Sequence, residues 1–326
     1  MFRNRFARRS FIGFAISIFV ILTGVPVRAQ HADGGAGSVV FYSIRDDHPN
    51  NQIYIMSADG NNQFRVTYDT ASDVDPDISP DGQEIVFSSN QTASGMANIF
   101  LRDRNGVVRN LTNDASTDEW PRWSPDGKQI VFGSNRDGVF EIYVMQADGT
   151  GVTRLTDPPT LGRYPSWSHD GKQIVFRRGI DIATIHADGS GSPVPLTHEV
   201  APSFAQMPAA SGDGKYVAFM SFREGYCSVF RMTADGNEQI NLTPKDAGDP
   251  ASAWCSRTPA WSANGHKIFF MSSRPSTGGL NQIFVMNMDG TDVRQLTDMS
   301  KNGSPRAGNP STRAHDFDRE GGTRIK

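Results

Sequence analysis

"PRWSPDGKQIVFGSN" (Pro121–Asn135) is followed by "PSWSHDGKQIVFRRG" (Pro165–Gly179), nearly the same fifteen residues written twice. A chain that repeats itself at a spacing of 40 to 50 residues is building one unit several times, so the number of copies decides the fold. The full unit runs from Pro121 to Thr156, "PRWSPDGKQIVFGSNRDGVFEIYVMQADGTGVTRLT". Three markers follow it along the chain. An Asp/Asn-Gly after Ser-Pro, or its replacement, stands at Asp81, Asp126, Asp170, Asp213 and Asn264. A later Asp/Asn-Gly stands at Asp59, Asn105, Asp148, Asp188, Asp235 and Asp289. A closing apolar-Thr pair ends each copy, at Val66-Thr67, Leu111-Thr112, Leu155-Thr156, Leu196-Thr197, Leu242-Thr243 and Leu296-Thr297. Six copies are present, the first without its opening Pro-x-Trp-Ser segment.

Each copy parses into four short strands, A to D, around "PRWS", "KQIVFGS", "EIYVMQ" and "TRLT". The "SPDG" link suits a type I turn closed by a bulge, with Pro where φ is near −65° and Gly where φ is positive. Strands B and C are almost continuous apolar runs, such as Ile130 to Phe132 and Ile142 to Met145, which means burial on both faces. Four-stranded units that cannot bury themselves alone, repeated six times, predict an all-β, six-bladed β-propeller of antiparallel blades. The first copy lacks strand A, and "AGNPSTRAH" (Ala307–His315) matches the opening of the repeat at Asn309-Pro310-Ser311. The C-terminal stretch is therefore expected to close the ring as the inner strand beside Val39–Ser43.

The repeat resembles that of the TolB-like, WD-repeat-like propellers of bacterial envelopes, over roughly Val39 to Thr297. The resemblance implies an exported protein-binding scaffold. The propeller component of the Tol–Pal system carries an α/β domain ahead of its propeller, whereas here the repeat follows the leader directly, which implies a stand-alone propeller. Related repeats accompany some peptidases and oligosaccharide lyases. The alternative is thus a secreted carbohydrate-active lyase or hydrolase, or a peptidase-associated propeller, using the same rim.

Residues 1–29 read as a signal peptide, with Arg3, Arg5, Arg8 and Arg9 before the apolar run Phe11–Leu22 and a small-residue site ending at Ala29. "ARRSFIG" (Ala7–Gly13) resembles the twin-arginine export motif at Arg8-Arg9. The expected location is the periplasm or the exterior. Residues 30–38 read as a flexible leader, 39–313 as the propeller and 314–326 as a disordered tail. The whole chain carries 32 basic and 35 acidic side chains. Losing the five arginines of the leader leaves 27 against 35, a formal charge of −8 that excludes nucleic acid as a partner. The processed chain is expected to be a monomer that is not embedded in a membrane.

Antiparallel strands place the A–B and C–D turns on one rim and the B–C and D–A connections on the other. The first rim is uniform and the second varies. The B–C link of the fourth copy is cut to "FRRGIDI", and the D–A link before the sixth stretches to "PKDAGDPASAWCSRT". Binding residues gather on variable loops held by a rigid scaffold, so the variable rim is the candidate site for an envelope protein or peptide. Trp123, Trp167 and Trp261 share one repeat position and belong to the interblade core. Trp120 and Trp254 fall in D–A connections and are candidate anchors. Alignment on the strand A proline brings Asp75, Trp120, Tyr164, Met207, Thr258 and Asn309 to equivalent positions near the channel mouth. Glu119, Arg163, Gln206 and Arg257 come one residue earlier, with Arg163 and Arg257 suited to a carboxylate.

Asp73, Asp75, Asp118 and Glu119 are candidate Ca²⁺ ligands, although no spacing resembles a calcium loop. No other cofactor is expected. No GxSxG, HExxH or CxxC occurs and the seven histidines are scattered, so no catalytic motif supports an enzyme. Cys227 and Cys255 both map to the variable rim and are expected to pair.

Overall fold

The computed structural model of the protein describes residues 37–45, 48–245, 254–277, 280–298 and 307–311. The signal peptide with its Arg8-Arg9 pair, leader residues 30–36 and the tail 314–326 lie outside the described residues.

Six four-stranded antiparallel sheets make the six blades. The first contains β1 (Ser38–Ser43), β2 (Gln52–Ser57) and β3 (Phe64–Arg65). The second contains β4 (Asp73–Ile78), β5 (Ile85–Ser89), β6 (Asn98–Arg102) and β7 (Val108–Asn110). The third runs through β8 (Asp118–Trp123), β9 (Gln129–Ser134), β10 (Glu141–Gln146) and β11 (Thr153–Arg154). The fourth runs through β12 (Gly162–Trp167), β13 (Gln173–Arg178), β14 (Asp181–His186) and β15 (Val194–Pro195). The fifth comprises β16 (Ala205–Ala210), β17 (Tyr216–Ser221), β18 (Ser228–Thr233) and β19 (Ile240–Asn241). The sixth comprises β20 (Ser256–Trp261), β21 (Lys267–Ser272), β22 (Gln282–Asn287) and β23 (Arg294–Gln295). β24 (Ala307–Ser311) completes the first blade as its inner strand, with Val40 opposite Ser311 and Ser43 opposite Ala307. The ring is closed by the C-terminal strand, as the repeat pattern predicts.

Each marker in the repeat has a local physical job. In "SPDG" the Gly127 amide donates to the Ser124 carbonyl at 3.0 Å, with Gly127 at φ 71°. Ser124 Oγ donates to Asp126 Oδ1 (2.7 Å) and accepts the Gln129 amide (2.9 Å). The same serine-to-amide bond recurs from Ser79, Ser168, Ser211 and Ser262. In the later Asp-Gly turn, a Cβ on Gly149 would stand 2.8 Å from the Leu111 carbonyl of the preceding blade, and Gly60 meets Leu296 in the same way across the ring's seam. Only a residue without a side chain lets neighbouring blades approach this closely.

The closing Thr works on the other side of the blade. In all six blades its hydroxyl accepts the amide of the second residue of the third strand, as Thr156 Oγ1 does from Ile142 at 3.0 Å. Thr156 is buried and also donates to Glu141. Thr156→Val keeps the shape but strands the Ile142 amide. It should cost about 1–3 kcal/mol, read as a lower urea midpoint at unchanged m value.

The core lies between the blades. Val131, Ile142 and Leu155 of the third blade pack on Trp167, Ile174 and Phe176 of the fourth. Five further clusters of this kind complete the circle, the last joining Val39, Phe41 and Tyr54 to Phe269 and Ile283. Trp123, Trp167 and Trp261 are buried as expected. Trp167 and Trp261 each donate from Nε1 to an inner-strand carbonyl of the preceding blade, Arg122 at 3.1 Å and Ala209 at 2.9 Å.

Candidate functional site

The inner strands begin three residues before the Pro-x-Trp-Ser segment. Glu119 and Trp120 therefore lie within β8, where the sequence reading put Trp120 in a D–A connection. The reason is a bulge. Asp75, Trp120, Tyr164, Met207 and Thr258, each the third residue of its inner strand, all have φ between 53° and 59°. Each precedes a proline, and the register slips by one residue at that point in β4, β8, β12, β16 and β20. A left-handed conformation at a residue other than glycine costs roughly 1–2 kcal/mol, and such bulges re-aim side chains. At Thr258, a β-branched residue, the conformation is anchored by Oγ1 donating to the Arg257 carbonyl at 2.7 Å. Asn309 is the third residue of β24 and completes the set by position.

Trp120 and Tyr164 meet within this set, with ring centroids 4.3 Å apart, and Phe140 lies 5.2 Å from Trp120. The Arg163 guanidinium covers Phe140 at 4.8 Å and Trp120 at 5.9 Å. Glu119, Trp120, Arg163 and Tyr164 thus form one group across two blades. Trp120 is only 7% exposed, which makes it a support for Tyr164 and Arg163 more than a free anchor. Gln206 accepts from Arg177 Nη1 at 2.6 Å, and Met207 and Thr258 complete the circle through blades five and six. Arg257 has its Nε buried without a hydrogen-bond partner.

Trp254 stands apart. It is 7% exposed, beside Tyr226, with the Arg274 guanidinium at 5.2 Å and Lys245 Nζ at 5.7 Å. Next to it Cys227 and Cys255 form a disulfide, the predicted pair, and the Ser256 amide donates to the Cys227 carbonyl at 3.1 Å.

Burial dominates the electrostatics. Glu119 is pushed up to about 7 by burial first and the Asp75 charge second, with Arg163 opposing. Asp73 is raised to about 6 by burial. Asp118 is raised for the same reason, although Arg136 lies 3.0 Å away. Tyr164 is held above the usual phenol range by burial and by Asp75. Asp73 and Asp118 occupy one repeat position and Asp75 the third position of its strand. Among the described residues no three His, Cys, Asp or Glu side chains converge as a metal site.

Below the ring, a channel segment of about 320 Å³ runs to the uniform rim, lined by Trp123, Trp167, Trp261, Met207, Pro208 and His169. Among the described residues no helix is long and apolar enough to cross a membrane.

Two contributors escaped the sequence reading. Gly133 seats Trp120, since a Cβ there would lie 2.8 Å from Trp120 Cε3. The signal was present: the equivalent positions carry Tyr42, Ser88, Arg177, Met220 and Met271. The second is the Ser-x-Arg at Arg45, Arg136, Arg223 and Arg274, where each guanidinium lies over the aromatic pair of the second and third strands. Arg136 also pairs with Asp114, and Arg223 with Glu199 at 2.6 Å, pinning D–A connections to the blades.

A family model for the TolB beta propeller domain matches residues 91–256, half of the chain. No curated protein sequence matches. Among solved structures, TolB from Acinetobacter baumannii superposes with a TM-score of 0.71 at 22% identity, over 84% of this chain and 66% of that one. The putative TolB from Agrobacterium tumefaciens gives 0.61 at 21%, over 81% of this chain and 90% of its own. Hydrazine synthase from Kuenenia stuttgartiensis gives 0.67 at 13%, over 85% and 46%. At these identities the likenesses carry the fold. The chain spans just under two thirds of the Acinetobacter protein.

Proposed function

Because the chain belongs to the TolB β-propeller family, we propose that it is an exported protein-binding scaffold of the bacterial cell envelope, receiving a short extended segment of a partner at the variable rim. The observation that carries this reading is the ring of left-handed inner-strand residues. A conformation that costs energy in five of the six blades recurs where the side chains are most diverse, around the mouth of the channel. Beside it, Glu119, Arg163, Gln206 and Arg257 offer one acid, two cations and an amide to a backbone or a terminal carboxylate. The basic and apolar leader supports export, and the disulfide suits an oxidising compartment. No metal enters the reading, and partner capture should persist in chelator.

The test is capture from envelope extract on immobilised protein, followed by affinity measurement with the identified partner. Arg163→Ala with Arg257→Ala should weaken that affinity about tenfold or more, at an unchanged melting temperature. Equal affinity would refute the assignment.

A further inference from the structure

A second feature of the variable rim lies at the fourth blade. β13 and β14 are joined by only Gly179 and Ile180, whereas the equivalent links in the other blades are six residues or longer. The short turn leaves a notch between the connections that enter and leave the blade. Gly162 pairs with Arg178, which sets Leu161 beside the turn, and the Ala205 amide donates to the Ile180 carbonyl at 2.7 Å. Three apolar side chains around this notch face solvent: Leu161 is 44% exposed, Ile180 38% and Val200 79%. A pocket of about 250 Å³ opens beside them, lined by Pro159, Leu161, Arg178, Asp181, Ala183 and Pro195.

The charges around the notch lean positive: Arg177 and Arg178 stand against Asp181, and Glu199 is offset by Arg223. Asp181 Oδ1 is engaged by Thr197 Oγ1 (3.0 Å) and the Glu199 amide (2.7 Å). Glu199 is bound to Arg223, Ser203 and Ser221. Arg177 donates to the Gly179 carbonyl and to Gln206, both neutral. Among the described residues neither Arg177 nor Arg178 has a carboxylate at ion-pair distance. Two arginines thus stand against one aspartate that is held only by neutral donors, a local positive excess in a chain whose overall charge is negative.

We propose that the fourth-blade notch docks an acidic segment of a partner protein, which places one aliphatic side chain in the pocket between Pro159 and Pro195 and a carboxylate on Arg178. A pocket of mixed lining with an excess of positive charge at its lip discriminates by charge as well as by shape, because a basic segment would meet two guanidinium groups against one carboxylate. Leu161, Ile180 and Val200 then form the apolar surround that excludes water from the anchor. The site is independent of the channel mouth, since none of Pro159, Leu161, Arg178 or Ile180 belongs to that ring.

The probe is a fluorescein-labelled peptide, Glu-Leu-Glu-Leu-Glu, with Lys-Leu-Lys-Leu-Lys as control, titrated against the protein by fluorescence polarisation. The acidic peptide should bind and the basic one should bind at least tenfold more weakly. Arg178→Glu and Leu161→Asp should each weaken the acidic peptide about tenfold, and Arg178→Lys should restore most of the binding. Both positions are at the surface, and equal melting temperatures confirm that the variants fold. Arg163→Ala with Arg257→Ala should leave the peptide's affinity within threefold, which separates this site from the channel mouth. Equal binding of the two peptides, indifference to Arg178→Glu, or a self-association in sedimentation that Leu161→Asp abolishes would each overturn the proposal, the last by making a second copy the occupant.

Discussion

Removing residues 300–326 should abolish the single cooperative unfolding transition and lower the melting temperature by about 10 °C or more. The cut deletes β24, which is hydrogen-bonded to β1 from Val40 to Ser43. Val39, Val40 and Phe41, fully buried in the intact ring, then lose one wall. At roughly 1.5–3 kcal/mol for each large side chain returned to water, even partial exposure of the three costs about 5 kcal/mol. That is a large part of the 5–15 kcal/mol that keeps a domain folded. The loss also reaches both neighbours, because Val39 and Phe41 pack on the sixth blade and Val40 on the second. Differential scanning calorimetry checks it. A truncated chain with an unchanged, single transition would show that the seam does not hold the ring together.

Stability should fall as pH rises from about 5 to 8, and Glu119→Gln should remove much of that slope. Glu119 titrates near 7 in the folded protein, well above the ordinary glutamate value of 4.5, because burial and Asp75 disfavour its charge. The folded state therefore holds a proton that the unfolded chain releases above pH 4.5, so each rise in pH through that window favours unfolding. The penalty is absent below about 4.5 and complete above about 7. It amounts to about 2–3 kcal/mol, and Asp73, raised to about 6, adds a similar amount between about 4 and 6. The aspartates of the turns act in the opposite sense. Asp126, Asp148 and Asp170 are held below the usual carboxylate range by serine or threonine hydroxyls and by backbone amides, so their contribution is lost only as pH falls below about 4. The two groups together place the stability maximum near pH 4.5. Urea denaturation at pH 4.5, 6, 7 and 8 reads this directly. Glu119→Gln should match the wild type at pH 4.5 and exceed it by about 2 kcal/mol at pH 8, and parallel pH profiles for the two proteins would refute it.

The parts of this fold that could be read in advance are those whose cause is local. Ser-Pro-Asp-Gly, the later Asp-Gly and the Leu-Thr pair each make their bonds within a few residues or with one adjacent strand, so their repetition announces blades, turns and ring. The disulfide was legible because both cysteines fall on one rim once the blades are counted. The start of the inner strand was hidden by its proline. Proline ordinarily marks a strand's first residue, yet here the left-handed residue before it carries the pairing past the bulge to Asp118. That displacement moved Trp120 from a loop into the wall of the channel. Gly133 was hidden because its meaning depends on Trp120, thirteen residues away in sequence and in contact only across the hairpin. The carboxylates Asp73, Asp75, Asp118 and Glu119 could be placed near one another by counting. Whether they converge depends on which way each side chain leaves its strand, and the bulge resets that direction.

The unequal links of the variable rim make the scaffold a host for exchange. The link between the second and third strands has two residues in the fourth blade and nine in the sixth, 273–281, while the paired strands on either side stay six residues long. Loop-closure entropy grows only with the logarithm of length, so going from two residues to nine costs about 1 kcal/mol. A blade can therefore trade one link for another without renegotiating its core. Recognition in such a molecule can diversify by graft and deletion at six separate addresses, each insulated from the rest by the turns that hold its blade.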